Sequence, residues 1–414
     1  MAEKIVVTPV AKGGVGWNAI DEKEIEAVTK VLRTPEYLFR YNDNFETQCV
    51  QLERELSQKT GIKHALFVAS GTSALTLCLS AYGIGPGDEV IIPGYTYIAT
   101  AAAVTNVGAV PVIAEIDDAL SLDPADTEKR ITPYTRALIA VHMQGVQGRM
   151  AALRALAKKH NLVLIEDACQ GIGSTYKGVY PGKETHASAW SLNYYKVITC
   201  GEGGVFFCND DDAFVRGVNA HDPGSPMWKS GLTRGSTLAP FTQLGVRGNE
   251  VCAAVARVQL GKLDGILKKT RALKKTFLSR LNKPLHYQLQ HVDDPEGDCG
   301  ISAALIAEDE DTAKRMSAML KDVGLDIGSA YNEGFPDRHI YAYWESILNK
   351  QSPTPLGYPW NDPSYKGNVQ YSKDMCPKTL DILSRSLRIA IHLGLTEQNM
   401  IEFAEAINYT DAHL

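Results

Sequence analysis

From residue 65 to 166 the chain alternates short apolar runs with helix-patterned stretches, and no other feature restricts its fold as much. Ala65-Leu-Phe-Val-Ala69 reads as a buried strand. Ser70-Gly-Thr-Ser73 opens a helix with Ala74, Leu75, Cys78 and Leu79 on its inner face, and Gly83-Ile-Gly-Pro-Gly-Asp88 stops it. Further strands fall at 89–92, 110–116, 137–143 and 162–166, separated by helices near 98–105, 124–131 and 150–160. Strands alternating with helices of this length predict an α/β fold whose doubly wound, mostly parallel sheet is covered on both faces. Such sheets bind ligands beyond the carboxyl ends of their strands, where Ser70, Tyr95 to Tyr97, His142 and Asp167 fall.

At 414 residues the chain is long enough for more than one domain. Helices at 21–32, capped by Asp21, and at 45–59 precede the alternation, and 221–245 reads as loop. A long apolar stripe then runs through 250–281. The boundary is expected near residue 265, giving a large domain over 1–265 and a smaller α/β domain over 266–414. The smaller one reads as strand 300–306, helix 311–323, an aromatic loop over 331–371, helix 377–385, strand 387–391 and a final helix 396–409.

A formal charge of −6 offers no basic footprint for nucleic acid. No apolar run approaches the ~20 residues of a membrane span, and the first residues lack a cationic-then-apolar signal, so a cytoplasmic protein is expected. The eight cysteines show no ligand spacing; they read as reduced and mostly structural, with no metal site.

Chemistry concentrates in Ser191-Leu-Asn-Tyr-Tyr-Lys196-Val-Ile-Thr-Cys-Gly201-Glu-Gly-Gly204. A β-patterned run leads into it, a glycine-rich turn closes it, and Val205-Phe-Phe-Cys208 follows. Taken singly, this is a surface lysine in a hairpin. A lysine held on a tight loop between strands is also what Schiff-base chemistry requires. Ser70 to Ser73 can cap a helix or hold a phosphate on its amides and hydroxyls. Asp167 ends an apolar strand and needs a partner there: an arginine, a helix start, or the protonated nitrogen of a pyridine ring.

In this order, Ser70-Gly-Thr72, Gly85-Pro-Gly-Asp-Glu-Val90, Tyr95-Thr-Tyr-Ile-Ala-Thr100, Val141-His142, Glu166-Asp-Ala-Cys-Gln170, Ser191 with Lys196, and Gly201-Glu-Gly-Gly204 resemble the DegT/StrS-type sugar aminotransferases over nearly the whole chain. That family is a pyridoxal 5′-phosphate-dependent branch of the aspartate-aminotransferase superfold. The resemblance implies that Lys196 is the Schiff-base lysine and proton-transfer base, and that Asp167 pairs with the pyridinium. It implies further that Tyr97 stacks on the ring, Gln170 lies near its phenolic oxygen, and Thr72, Ser73 and Ser191 bind the phosphate. Two segments depart from the family pattern. Leu244-Gly-Val-Arg247 stands where members carry Tyr-Asn-x-Arg, whose asparagine reaches the neighbouring subunit's phosphate, and Ser329-Ala-Tyr331-Asn332 replaces a histidine-tyrosine-proline run.

Within the family, Arg40-Tyr41, Leu120-Ser-Leu-Asp-Pro124, Asn193-Tyr-Tyr-Lys-Val-Ile198, His221-Asp222 and Tyr343-Trp-Glu345 are similar to the 8-amino-3,8-dideoxy-octulosonate aminotransferases. His221, Arg247 and Tyr331 are then the expected substrate contacts. The implied protein is a homodimer with shared active sites, moving an amino group from L-glutamate or L-glutamine to a keto-sugar or keto-cyclitol. A dehydratase with the same cofactor and a non-enzymatic sensor are the alternatives. Dehydratases as a rule replace the lysine by histidine, and Lys196 speaks against that reading.

Overall fold

The computed structural model describes residues 6–11, 13–42, 46–223, 238–332 and 336–414. Helices α1 (Glu22–Arg33) and α2 (Gln48–Thr60) come first. Asp21 starts α1 by accepting the Lys23 amide, while Glu24 reaches back to the Asp21 amide. The alternation then appears as β1 (His64–Val68), α3 (Gly71–Ala81), β2 (Glu89–Pro93), α4 (Ala99–Asn106), β3 (Val110–Ala114), α5 (Pro124–Lys129), β4 (Thr135–Val141), α6 (Met150–His160) and β5 (Val163–Asp167). Two further strands follow, β6 (Ala187–Ser191) and β7 (Gly204–Cys208), and then helices α7 (Asp211–His221) and α8 (Glu250–Arg280).

The seven strands form one sheet in the order β1-β7-β6-β5-β4-β2-β3. Only β7 runs against the rest, pairing antiparallel with β1 and β6. Six carboxyl ends therefore point to one edge. Side chains alternate between two cores. Leu66, Val68, Ile92, Ile139 and Ile165 face α3, α4 and α7. On the other face, Phe67, Trp190 and Phe207 meet α2 and α8, and Ile91, Leu138 and Leu164 meet α6. Burial on both faces explains why these strands read as continuous apolar runs.

The remainder holds β8 (Tyr287–Leu289), β9 (Ser302–Ala307), α9 (Glu310–Asp322), α10 (Glu345–Leu348), α11 (Pro377–Ser384), β10 (Ser386–Ala390) and α12 (Glu397–Ala412). A three-stranded antiparallel sheet, β10-β9-β8, packs on α9 and α12. Helix α8 is unbroken and passes straight through residue 265. Its first half (Ala253, Leu263, Ile266) packs with β1, β6 and β7, whereas Leu273 and Phe277 pack with β9 and β10. Val7 of the amino-terminal arm joins that second core, its amide donating to the Val323 carbonyl at 2.7 Å.

Two elements were not expected. Helix α7 is capped by Asp210, which accepts the Ala213 amide, and buries a face of Ala213, Phe214, Gly217 and Val218. β8 is three residues long, too short for a period to show. The aromatic stretch 331–371 is no plain loop, since Tyr341 and Trp344 are fully buried around α10. Residues 224–237 of the expected loop, Trp228 included, lie outside the described residues.

Candidate functional site

The carboxyl edge of the sheet gathers most of the expected residues. Ser70 caps α3: its Oγ accepts the Ser73 amide at 3.1 Å and lies 2.9 Å from the Ser73 hydroxyl. Among the described residues the Gly71 and Thr72 amides find no acceptor, as the first amides of a helix do unless a ligand takes them. Ser191, at the end of β6, presses against this turn. A Cβ on Gly71 would lie 2.7 Å from the Ser191 Cβ and 2.9 Å from the Cys169 Sγ. Glycine is therefore required for Thr72, Ser73 and Ser191 to share one turn.

Asp167 is buried at the end of β5. Its Oδ2 accepts from the Thr100 hydroxyl at 2.8 Å and its Oδ1 from the Cys169 amide at 3.1 Å. Thr96 Oγ1 lies 2.7 Å from Thr100 Oγ1 and continues the chain. No cation within ion-pair range meets Asp167 among the described residues. A buried carboxylate left that way is costly, and a protonated ring nitrogen would complete it.

Lys196 lies on the connection between β6 and β7, whose strands pair antiparallel. The loop is fixed from behind: the Gly16 amide donates to the Lys196 carbonyl at 3.0 Å, and Trp17 stacks on Tyr194 at 5.5 Å. The Lys196 side chain is half-buried, and its Nζ makes no hydrogen bond or ion pair among the described residues. Burial drives the Cys169 thiol well above the usual range, Asp167 adds to that, and Lys196 opposes it.

Tyr97 is 41% exposed, with one ring contact to His339 at 5.3 Å, so part of its ring is open to a ligand. The Gln170 Oε1 accepts the Gln144 amide at 3.1 Å. Gln144 holds a left-handed backbone, φ 57°, at this edge. Its side chain donates to the Tyr95 hydroxyl at 2.8 Å and accepts from Ser302 at 2.9 Å, and Arg388 of β10 reaches Ser302 through Nε at 3.3 Å. The outer guanidinium nitrogens of Arg388 are exposed and unpaired among the described residues. Sequence reasoning gave no role to Thr100, Gln144 or Arg388. Thr100 sat inside a quoted motif, and a charge between Leu387 and Ile389 was the signal for Arg388.

The expected substrate contacts do not join this set. His221 has no exposed surface, and neither ring nitrogen has a partner among the described residues. Burial, with Arg40 and Arg247 nearby, lowers its pKa to about 3. Arg247 pairs with Asp222 at 2.8 Å while Tyr41 donates to the same carboxylate at 2.5 Å. Its segment adds to the edge of β1, the Ala69 amide donating to the Val246 carbonyl, so Arg247 does lie close to Ser70. Tyr331 packs on Tyr343 at 5.8 Å and donates its amide to the Leu383 carbonyl. Asn249, two residues beyond Arg247, spends its side chain capping α8 and contacting Cys252. A cavity of 340 Å³ lined by Arg40, Glu53, Lys63, His64 and Phe214 shares no residue with the Asp167–Lys196 set.

The sequence model of the DegT/DnrJ/EryC1/StrS aminotransferase family matches residues 18–353. The chain belongs to this family. GDP-perosamine synthase of Caulobacter vibrioides is 38% identical over 221 residues, a stretch covering 52% of this chain and 57%, little more than half, of that relative. DesV of S. venezuelae, solved in complex with a ketimine intermediate, is 27% identical with a TM-score of 0.75 over 98% of this chain and all of its own. Spr1654 of Streptococcus pneumoniae, described as a sugar aminotransferase and solved in its PMP form, has a TM-score of 0.75 at 20% identity, covering 98% of both chains. The family match agrees with the resemblance carried by the motifs, and the seven-stranded, mostly parallel sheet is the expected α/β fold. No described helix is long and apolar enough to cross a membrane.

Proposed function

We propose that this chain is a pyridoxal 5′-phosphate-dependent aminotransferase that moves an amino group from L-glutamate or L-glutamine to a keto-sugar. The observation that carries the reading is a buried carboxylate, Asp167, that meets no cation among the described residues and lies at the sheet edge that also holds Ser191 and the start of the Lys196 loop. The PMP form of one structural relative and the sugar nucleotide in the name of a sequence relative support it. Bound pyridoxal phosphate supplies an aldehyde that takes the amino group and a cationic ring that withdraws electrons from the substrate carbon.

The residues divide the work. The Gly71 and Thr72 amides, with Thr72, Ser73 and Ser191, hold the phosphate at the start of α3. Asp167, steadied by Thr100 and the Cys169 amide, keeps the ring nitrogen protonated. Tyr97 would cover the ring, and Gln170 would lie beside its phenolic oxygen. Lys196 Nζ would hold the cofactor and serve as the base that carries the proton from the substrate α-carbon. Arg388, braced through Ser302 and Gln144, receives a substrate carboxylate. The chain works as a homodimer of two-domain subunits that meet within α8, with Arg247 beside the phosphate turn.

The test is the visible spectrum of the reconstituted protein before and after glutamate or glutamine. Bleaching of a yellow form, with borohydride fixing the cofactor on Lys196 in peptide mass spectra, is expected. A yellow protein that no donor bleaches would favour the dehydratase. A cofactor adduct on another lysine would sink the assignment.

A further inference from the structure

Lys196 is held by a bond on each of its two peptide units. Its amide donates to the Asn193 carbonyl at 3.0 Å, and its carbonyl accepts the Gly16 amide at 3.0 Å. Fixing both peptide planes fixes φ and ψ of the residue between them, and with these the direction in which its Cβ leaves the chain. The first bond lies within the loop. The second comes from the amino-terminal arm, so the direction of the Lys196 side chain depends on a segment far away in sequence.

The arm is shaped for this contact. Gly16 is buried against the loop backbone, where a Cβ would lie 2.8 Å from the Lys196 carbonyl oxygen and 2.9 Å from the Thr199 nitrogen. Val15 shares a core with Val197 and Ile198. Trp17 stacks on Tyr194 with the ring planes 13° apart, and a Cβ on Gly14 would overlap the indole, so glycine there leaves the ring its place. Arm and loop also share one support on α8. Lys262 donates to the Ala19 carbonyl at 2.7 Å and pairs with buried Glu24 at 2.7 Å. Glu24 accepts from buried Gln259 at 2.8 Å, and Gln259 accepts the Thr199 amide at 3.4 Å.

We propose that Gly16 and Trp17 are positioning residues for Lys196. Gly16 fixes the Lys196 carbonyl, Trp17 fixes the loop two residues earlier, and together they set the direction of the lysine side chain. The inference rests on the reading of Lys196 as the proton-transfer base. Both residues act through the loop and not on the reacting atoms. A base whose backbone is released spends its time in unproductive orientations, and a misplacement of about 1 Å can slow catalysis about 100-fold. Losing the Trp17 stack alone leaves the Gly16 bond in place and should slow it less.

The test compares the unaltered full chain with Trp17→Ala, which deletes a stack without inserting an atom. In the cofactor-free protein, amide hydrogen exchange at 192–203 should quicken about tenfold. After reconstitution, borohydride should still fix the cofactor on Lys196. The saturated rate at which glutamate or glutamine bleaches the yellow form should fall about tenfold, with the half-saturating concentration changed less than about twofold. Trp17→Phe keeps a ring for Tyr194 and should restore both readouts, whereas Gly16→Ala, whose methyl meets the loop backbone, should exceed Trp17→Ala on each. Unchanged exchange in Trp17→Ala, or a full bleaching rate despite faster exchange, overturns the proposal. An unaltered chain that neither donor bleaches overturns the parent reading, and this one with it.

Discussion

Two polar clusters lie near the end of β1, and they are completed in opposite ways. Around Arg40 the charges satisfy one another. Arg40 pairs with Glu53 at 2.5 Å with both side chains buried, Glu53 also takes the Phe67 amide at 2.8 Å, and Asp222 takes Tyr41 and Arg247. Around Asp167, among the described residues, the carboxylate has only neutral donors, the Lys196 Nζ has no hydrogen bond or ion pair, and the first amides of α3 have no acceptor. The first cluster holds the protein together; the second is finished only by a ligand carrying a cation at one end and an anion at the other. Pyridoxal phosphate is such a molecule. Richness in charge does not mark a site here; a buried carboxylate that meets no cation among the described residues does.

The largest effect that would break this comparison is at the lysine. Lys196→Ala should lower kcat for amine transfer by about 10³-fold or more and abolish borohydride fixation. The mirror experiment is Glu53→Ala, which strands the buried Arg40 charge. Urea unfolding should show a loss of about 3–5 kcal/mol, while the cofactor still reduces onto Lys196. Should Asp167→Asn cost comparable stability in the cofactor-free protein, the two clusters would not differ as argued. The expected result is unchanged or higher stability, with kcat down about 10- to 100-fold from the lost charge-assisted hydrogen bond.

Arg388→Gln sharpens the assignment of the open guanidinium. It should raise KM for the carboxylate-bearing substrate about tenfold with kcat nearly intact, since an exposed contact contributes modestly. An unchanged KM for donor and acceptor alike would return Arg388 to the solvent. The last comparison is one of pH dependence and concerns His221. Its folded pKa of about 3 lies below the unfolded value, so the unfolded chain binds the extra proton. Its contribution is fully present above pH 6.5 and is lost as pH falls toward 3, by at most about 1.4 kcal/mol per pH unit. His221→Leu should flatten that part of the pH–stability curve, measured by urea melts at stepped pH.

Much of the fold was legible because its signals are local. Asp21 and Thr396 cap helices by bonding amides within three residues, and the buried strands announce themselves as apolar runs. Ser70, Asp167, Ser191 and Lys196 were legible as a set because each follows a strand and all the parallel strands end at one edge. What failed was of another kind. Helix α7 was lost because its buried face is carried by small residues, and β8 because three residues have no period. His221 was an expected substrate contact because His221-Asp222 is one of the segments similar to the octulosonate aminotransferases. In the fold, α7 carries His221 inward while Asp222 is taken by Tyr41 from 181 positions away.

The sequence by itself determined the strand–helix alternation, the caps and the order of the chemical residues, since these depend on neighbours a few positions apart. Tertiary structure alone decided which charges are paired. Arg40 meets Glu53, and Arg388 braces on a network reaching Gln170, because packing brings distant segments together. Electrostatic energy depends on separation in space and on burial, and neither can be read along the chain.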